Sequence, residues 1–390
     1  MFSRKLVIDL PKKQSAFLWG ARQTGKSSFL REHFPKAIYY DLLDTREVIR
    51  FSKAPHLLRE EILALSPEQL ATPVIIDEVQ KVPELLNEVH YLIEHVKVQF
   101  ILCGFSARKL KTNLTNLLGG RAWQYHFFPL VTPEIPDFDL LKALSQGLIP
   151  NHYLAEPQHI AEHFRAYVDI YLTDEIRNEG LVRNLPAFTR FLDVVGISNT
   201  EMINMTNVAR DCGVTRATAQ GYYQILVDTL LGYFVYPYKK KIKRDLISAT
   251  PKFYLFDVGI ANYLAQQSLF GLKGSVAGKA FEHFILMELV AFSELSRKHF
   301  AITYWRTKTG LEVDFILGEA IVAIEVKINE QVHKEDLKGL IAFCGEHPKA
   351  QGIVVSQDLK LRKIEINDQD FLTVMPWQLF LAKLWNNEIM

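Results

Sequence analysis

Residues 20–29 read GARQTGKSSF, and this stretch decides the fold of the first part of the chain. Gly20–Ser27 fit the pattern G-x-x-x-x-G-K-[ST] without a mismatch. The apolar run SAFLW precedes the pattern, and SSFLREHF after it has helical spacing. Strand, loop and helix in this order are what a phosphate-binding loop requires. The sequence therefore predicts a nucleotide site lined by Gly20, Ala21, Arg22, Gln23, Thr24, Gly25, Lys26, Ser27 and Ser28.

Four residues of this loop have distinct expected roles. Gly20 and Gly25 allow backbone N–H groups to turn toward the phosphates at the positive end of a helix. Lys26 is expected to reach the outer phosphates, and Ser27 to offer its hydroxyl to Mg²⁺. ATP and Mg²⁺ are therefore the predicted ligands of the loop.

A pair of acids follows in the segment TPVIIDEVQKVPELL. Val74–Ile76 have the apolar character of a strand buried on both faces, and Asp77 and Glu78 come directly after them. Adjacent acids at a buried strand end are costly unless a cation or a reaction uses them. We expect Asp77 to hold the Mg²⁺ shell and Glu78 to polarise the attacking water. The alternative is an ordinary strand exit with two solvated acids.

Two further runs, AIYYDLLD and VQFILCGFSARKL, have the character of strands. Because the carboxyl ends of parallel strands face the ligand in an open sheet, Ser106 is predicted to sense the outer phosphate. Arg108 and Arg121 are candidates to supply transition-state charge, within the chain or, in a homo-oligomer, to a neighbouring subunit. A surface salt bridge is the alternative for either arginine. Cys103 is expected to be a buried strand residue.

Four segments together resemble a known family: GARQTGKSSFL, VIIDEVQKVPELL, GFSARKL and GGRAWQYHFFPL. They are similar to the prokaryotic AAA-type (AAA_14) ATPases that are fused to a C-terminal domain of unknown function, DUF4143. In that family a proline–leucine turn follows the arginine loop, as Pro129 and Leu130 do here. The resemblance covers nearly the whole chain, and it implies an ATP-hydrolysing P-loop domain.

Length and composition limit the class of protein. With 390 residues, 48% of them hydrophobic and 23% charged, the chain is long enough for two or three domains. The net charge of +1 gives no overall preference for nucleic acid or membrane. The three cysteines lack the spacing of a zinc or redox site, and we find neither a secretion signal nor a run of about 18 apolar residues. A cytoplasmic protein without membrane association is expected.

The middle of the chain contains the pattern of a helix-turn-helix. One helix is predicted to end at Cys212, a turn follows at Gly213, and GYFVYPY supplies the strand of a wing. The exposed start of the second helix would present Thr215, Arg216, Thr218 and Gln220. Residues 206–252 carry eight Lys or Arg and three Asp or Glu, a balance that favours contact with a DNA or RNA backbone. An interdomain or dimer module with solvated lysines is an equal alternative.

The last part of the chain contains acids and a lysine in the order of a nuclease site. Asp314 lies in LEVDFIL, and Glu325 and Lys327 in AIEVKI project from one face of a strand because they are two residues apart. Two carboxylates beside a lysine are suited to bind Mg²⁺ while the ammonium stabilises charge on a phosphodiester. With Glu282 on the preceding helix, the segment resembles the PD-(D/E)XK nucleases. The predicted metal ligands are Asp314 and Glu325, and the predicted catalytic lysine is Lys327.

The sequence thus predicts an α/β protein of three parts. We expect a P-loop ATPase domain with a parallel sheet at 1–130, a helical and winged-helix region at 131–250, and a restriction-endonuclease-like α/β domain at 251–390. The favoured function is ATP hydrolysis coupled to engagement of DNA or RNA, extending to Mg²⁺-dependent cleavage if the C-terminal site is active. The alternative is a nucleotide-controlled switch or interaction protein whose nuclease-like domain is an inactive docking platform.

Overall fold

The architecture is taken from a computed structural model, which describes residues 2–105, 118–172, 182, 184–239, 250–367 and 370–390. These residues divide into two compact units. The first unit consists of Arg4–Pro129 and Ile225–Leu231, and the second unit contains the other described residues. Ser106 and Arg108 lie outside the described residues.

A five-stranded parallel sheet forms the centre of the first unit. Its strands are β1 (Ser15–Trp19), β2 (Tyr39–Asp41), β3 (Val74–Asp77), β4 (Phe100–Gly104) and β5 (Ala122–His126), in the spatial order β2-β3-β4-β1-β5. β1, β3 and β4 are buried along their whole length, as their continuous apolar sequences predict. Parallel pairing places Asp77 beside Asp41 and Cys103, so the carboxyl ends of these strands share one edge. The predicted α/β class and P-loop type of sheet are confirmed.

The helices of this unit are α1 (Lys26–His33), α2 (Thr45–Lys53), α3 (Leu57–Leu63) and α4 (Leu85–Tyr91). α2 begins where the Asp44 carboxylate accepts a hydrogen bond from the Arg46 N–H at 2.9 Å, which satisfies one of the free donors of the first turn. Phe51 of α2 and Leu58 of α3 are buried in one apolar cluster with Ile76 of β3. The helices α2 and α3 therefore pack against the sheet through their apolar side chains.

Ten more helices are described farther along the chain: α5 (Leu140–Gln146), α6 (Pro150–Leu154), α7 (Ile160–Ala166), α8 (Leu185–Ile197), α9 (Met205–Cys212), α10 (Arg216–Asp228), α11 (Val258–Leu264), α12 (Gly274–Leu295), α13 (Lys338–Glu346) and α14 (Trp377–Trp385). Gly213 lies between α9 and α10 with a φ of 67°, in the left-handed region that favours glycine. The two helices and the turn thus lie where the sequence predicts them. In the described part of the chain, no helix combines the length and apolar character needed to cross a bilayer.

An eight-stranded mixed sheet runs through the second unit in the order β12-β13-β11-β10-β9-β8-β6-β7. Its strands are β6 (Gly232–Pro237), β7 (Lys252–Leu255), β8 (Ile302–Arg306), β9 (Glu312–Leu317), β10 (Val322–Lys327), β11 (Gln351–Ser356), β12 (Arg362–Glu365) and β13 (Phe371–Pro376). β6 is the strand that the sequence assigned to a wing. It pairs antiparallel with β7, and Tyr236 and Pro237 pair in parallel with Thr303 and Tyr304 of β8. The strand predicted as a wing is therefore part of the larger sheet.

The long helix α12 packs against this sheet and forms the centre of the second unit. Its Phe284 and Leu289 are fully buried with Phe315 of β9 in one apolar cluster, and each such side chain contributes about 1.5–3 kcal/mol when buried. Glu288 of the same helix is also buried. Its Oε1 accepts hydrogen bonds from the N–H and hydroxyl of Thr132 at 2.8 and 2.7 Å, and its Oε2 accepts one from the Trp385 indole at 2.7 Å. This carboxylate therefore joins three distant segments of the unit.

Candidate functional site

The predicted phosphate-binding loop connects β1 to α1 at the carboxyl edge of the first sheet. Gly25 has a φ of +99°, which a residue with a side chain rarely adopts. A Cβ at Gly20 would lie 2.3 Å from the carbonyl oxygen of Phe127, so this position also requires glycine. The ammonium of Lys26 is buried and donates to the carbonyl oxygens of Gly20 at 2.7 Å and Ala21 at 2.8 Å. The loop is thus wrapped around the lysine that is expected to contact phosphate.

Neighbouring side chains hold the loop in this form. The Thr24 hydroxyl donates to the carbonyl oxygen of Ala21 at 2.8 Å, and the Arg4 guanidinium donates to that of Thr24 at 2.7 Å. Arg22 lies over the Phe105 ring at 4.9 Å from its centre. The remaining predicted side chains are half-buried or exposed: Gln23, Ser27 and Ser28. Arg4 was missed by the sequence analysis, since nothing local links it to a loop 20 positions away.

Asp77 joins the phosphate-binding loop to two strands. Its Oδ2 accepts hydrogen bonds from the Ser27 hydroxyl at 2.6 Å and the Tyr39 hydroxyl at 2.5 Å, and its Oδ1 accepts the Glu78 N–H at 3.1 Å. Burial and the nearby Asp77 charge raise the pKa of Tyr39, so its hydroxyl remains a donor. Ser27 and Asp77, the two groups assigned to Mg²⁺ from the sequence, are therefore in direct contact. A hydroxyl and a carboxylate are oxygen ligands of the type that Mg²⁺ prefers, so the pair fits this ion.

Glu78 lies beside this pair in an unusual backbone conformation. Its φ is 60°, in the left-handed region that non-glycine residues seldom occupy. The side-chain amide of Gln80 donates to Glu78 Oε2, and both side chains are buried. Backbone strain of this kind is common at functional sites. Tyr39 and Gln80 were not predicted, although Tyr39 lies on the strand adjacent to β3 and Gln80 only two residues beyond Glu78.

Arg121 forms the ion pair that the sequence analysis gave as its alternative. Its Nε bonds to Glu94 Oε1, and this hydrogen bond holds the pKa of Glu94 below its usual value. A role for Arg121 in the transition state stays a prediction, as do the roles of Ser106 and Arg108, which lie outside the described residues. Cys103 is fully buried in β4, and burial raises its thiol pKa.

The predicted C-terminal residues come together in the second unit. Asp314 on β9 and Glu325 on β10 belong to neighbouring antiparallel strands, as the predicted hairpin requires. Asp314 Oδ2 accepts the Val326 N–H at 2.8 Å, and the Lys327 ammonium lies 2.6 Å from Glu325 Oε1. Burial raises the pKa of Asp314 most, and the charges of Glu325 and of Glu282 on α12 add to this effect. The four residues predicted from the sequence therefore share one site.

A second lysine that the sequence analysis missed also enters this site. Lys252 on β7 places its ammonium 3.2 Å from Glu282 Oε1 and 2.6 Å from Glu312 Oε1. The Tyr254 hydroxyl donates to the same oxygen of Glu282 at 2.5 Å. No motif connects Lys252 to the later residues, and the only signal is that Lys252 and Tyr254 are two apart on one strand. We use the name carboxylate–lysine cluster for Lys252, Glu282, Glu312, Asp314, Glu325 and Lys327.

Lys252 remains charged despite its burial. Burial lowers the pKa of Lys252, but the charges of Glu282, Asp314 and Glu312 outweigh it and raise that pKa above its usual value. Burial, together with Glu325 and Glu282, raises the pKa of Asp314 well above its usual value. The Oε2 of Glu325 is buried and has no hydrogen-bond partner in the described part of the chain.

Glu282, the acid predicted on the preceding helix, is not available to a metal ion, because Lys252 and Tyr254 already bind its carboxylate. Across the described ranges, no group of three or more His, Cys, Asp or Glu side chains is arranged to hold a metal ion. Metal binding by Asp314 and Glu325 therefore stays a prediction without a third acid to support it.

The start of α10 is exposed, as the helix-turn-helix pattern predicts. Thr215, Arg216 and Gln220 are exposed, and the Thr215 hydroxyl caps the helix by accepting the Thr218 N–H at 3.1 Å. A cavity of about 800 Å³ opens beside this helix, and its lining includes Arg216, Gln220, Tyr223 and Tyr236. Two of the four predicted contact residues, Arg216 and Gln220, thus border a concave surface.

Three consecutive segments match known domain families. Residues 12–135 match the AAA domain. Residues 137–270 match a domain of unknown function, DUF8612, and residues 277–380 match a second one, DUF4143. The AAA and DUF4143 parts of the resemblance seen in the sequence are confirmed, and the AAA match supports nucleotide binding and hydrolysis in the first unit.

Several solved structures are distantly similar to the chain, and two of them illustrate the likeness. The Orc1 protein of Aeropyrum pernix in complex with DNA is 15% identical, with 65% of this chain and 86% of that chain covered and a TM-score of 0.29. A signal-transduction ATPase with numerous domains and a tetratricopeptide repeat sensor, from Pyrococcus horikoshii, is 12% identical, with 72% and 44% covered and a TM-score of 0.19. These scores are too low to indicate a shared function. Among curated proteins, none matches the sequence.

Proposed function

We propose that the first unit binds ATP with Mg²⁺ and hydrolyses it. The observation that carries this proposal is the direct contact of Ser27 with Asp77 beside the Lys26 cradle, at the carboxyl edge of a parallel sheet. Ligands bind at this edge in open α/β sheets. The AAA match of residues 12–135 supports the same conclusion.

Each side chain of the site has a task that its contacts support. Lys26 exchanges the carbonyl oxygens of Gly20 and Ala21 for phosphate oxygens, while Ser27 and Asp77 hold the ion. Bound Mg²⁺ supplies positive charge to the phosphates and orients them. Glu78 accepts the proton of the attacking water, and the amide of Gln80 fixes the direction of its carboxylate.

Lys26→Ala tests this proposal. The variant loses the ammonium in the loop, so binding of a fluorescent ATP analogue and release of phosphate should fall together. Lys36→Ala is the matched control, because Lys36 is exposed in the same unit. ATP turnover in Lys26→Ala equal to that of the control would remove the assignment.

A second candidate function, contact with DNA or RNA, is favoured by the exposed start of α10. If Arg216 contacts a phosphate, Arg216→Ala should weaken binding and reduce the salt dependence by about one unit of slope. Fluorescence anisotropy with duplex DNA and single-stranded RNA measures both effects. Arg165→Ala is the control, because Arg165 is exposed on α7 and has one acidic neighbour. If the two variants bind nucleic acid equally well, the alternative is favoured, in which α10 belongs to an interdomain or dimer module.

For the carboxylate–lysine cluster, the contacts favour a docking platform over a Mg²⁺-dependent nuclease. Lys327 already pairs with Glu325, one of the two predicted metal ligands, and Lys252 pairs with Glu282 and Glu312 beside them. Wild-type protein should therefore leave supercoiled DNA intact in Mg²⁺ or Mn²⁺. Metal-dependent nicking that disappears in Lys327→Ala would instead support cleavage with Lys327 as the catalytic lysine.

A further inference from the structure

We propose that Lys252 is the resident cation of the carboxylate–lysine cluster and takes the place of a divalent metal ion. This proposal rests on the docking alternative described above and deepens it. It assigns to one side chain the charge compensation of Glu282 and Glu312, the acids that lie beside the predicted metal ligands Asp314 and Glu325.

The contacts of Lys252 are those of a cation bound by two carboxylates in a buried site. Its ammonium lies within 3.2 Å of Glu282 and 2.6 Å of Glu312, and only 6% of its side chain is exposed. A lysine is almost never buried to this extent unless it is paired. Two carboxylates from different elements, α12 and β9, meet at this one ammonium. Lys252 therefore does for these two acids what a bound metal ion would do.

The charge balance of the cluster explains why the ammonium is needed. Glu282, Glu312, Asp314 and Glu325 contribute carboxyl groups. Lys327 pairs with Glu325 at 2.6 Å, and Arg306 pairs with Glu312 at 2.8 Å. Without Lys252, the Tyr254 hydroxyl would be the only side-chain partner left to Glu282 among the described residues. Removal of one member of a buried ion pair leaves an uncompensated charge, which is strongly destabilising.

Lys252 reaches the cluster because of the strand order of the second sheet. β7 pairs with β6, β6 pairs with β8, and β8 pairs with β9, the strand that contains Glu312 and Asp314. Lys252 belongs to the segment that matches DUF8612, whereas Glu282, Asp314 and Glu325 belong to the segment that matches DUF4143. The cluster is therefore assembled from both segments, and residues 277–380 alone contain Lys327 but lack Lys252.

The experiment compares three lysine variants of the full chain. Lys252→Met keeps a long apolar side chain but removes the ammonium, and Lys252→Arg keeps the charge. Lys279→Met is the matched control, because Lys279 pairs with Glu201 at 2.5 Å on the surface. Unfolding temperatures are measured without nucleotide, in EDTA and in Mn²⁺. The series is repeated in proteins that also carry Asp77→Asn, so that an effect of Mn²⁺ on the first unit is distinguished from an effect on the cluster.

In EDTA, Lys252→Met should unfold roughly 6 °C or more below wild type, while Lys252→Arg and Lys279→Met stay close to it. In the Asp77→Asn background, Mn²⁺ should recover at least half of the loss caused by Lys252→Met and leave the protein that retains Lys252 unchanged, because a site vacated by the ammonium can accept the metal. Absence of a Mn²⁺ effect on Lys252→Met would overturn the proposal. An equal Mn²⁺ effect with and without Lys252→Met in that background would overturn it as well.

A further variant covers the case in which Lys252→Met does not fold. The double variant with Glu282→Gln lacks both the cation and one acid, so it should be more stable than Lys252→Met alone. A double variant that is no more stable contradicts the proposed pairing. The nicking assay separates the two proposals: if the Mn²⁺ pattern fails and no nicking occurs, the docking platform stands without a resident cation.

Discussion

Glu78→Gln should separate ATP binding from ATP hydrolysis. The new side chain has the same size, and its amide oxygen can accept the hydrogen bond that Gln80 donates to Glu78. The backbone at this position, with its φ of 60°, is therefore expected to persist. What is lost is the carboxylate that takes the proton of the attacking water. ATP should still bind, and turnover should fall.

The size of the fall follows from the surroundings of Glu78. General-base catalysis contributes about 10²–10⁴-fold, or about 3–5 kcal/mol of barrier. Glu78 is only 7% exposed, so a base from the solvent cannot easily replace it. Lys26 and Asp77 keep their contacts, so their contributions remain. We therefore expect a loss of about 100-fold, at the lower end of this range.

Steady-state phosphate release at saturating ATP measures turnover, and a fluorescent ATP analogue measures binding. Glu84→Gln is the matched control, because Glu84 is exposed only six residues further along the chain. Asp77→Asn should behave differently and impair Mg²⁺-dependent binding itself. Turnover of Glu78→Gln within about threefold of Glu84→Gln would refute the assignment of the base.

Three further predictions concern single contacts. Tyr39→Phe removes one donor to Asp77 and should lower the unfolding free energy by roughly 1.5–3 kcal/mol in urea titration; no change would mean that the hydroxyl bond contributes nothing. Gly20→Ala places a Cβ 2.3 Å from a carbonyl oxygen, so binding of the ATP analogue should weaken about tenfold or more. The control is Gly271→Ala, whose Cβ meets no atom within 4 Å, and this variant should bind the analogue normally. Burial raises the pKa of Glu288 from 4.5 to about 7, so the folded state binds more protons than the unfolded state at pH values between these two pKa values. As the pH rises from about 5 to about 8, the unfolding free energy of wild type should fall by up to roughly 3 kcal/mol relative to that of Glu288→Gln. A difference in unfolding free energy that stays constant with pH in urea titrations would contradict that pKa.

The nucleotide site was readable from the sequence because its parts are short and contiguous. The loop around Lys26 and the acids Asp77 and Glu78 follow directly from strand ends, so burial and periodicity suffice to place them. Tyr39 could not be assigned in the same way, because its role depends on β2 being adjacent to β3. Strand order is set by packing between segments, which a local pattern does not contain.

The C-terminal site shows the same limit more strongly. Asp314, Glu325 and Lys327 were predicted from two strands that form a hairpin, and Glu282 from the preceding helix. Lys252 was missed because β7 joins the sheet through β6 and β8, and the sequence had suggested a wing for β6. Its ammonium changes the chemistry expected of Glu282, because the acid then has a partner within the fold.

The hydrogen bonds of Glu288 also decide when the second unit can finish folding. One oxygen is bound by Thr132, 156 positions earlier, and the other by Trp385, 97 positions later. During synthesis Thr132 leaves the ribosome long before either of the other two residues exists. Contacts so far apart in sequence form slowly, because a large loop must close before they contribute. The second unit therefore completes its core only after the ribosome has added Trp385, whereas the strands of the first sheet are all present once His126 has been made.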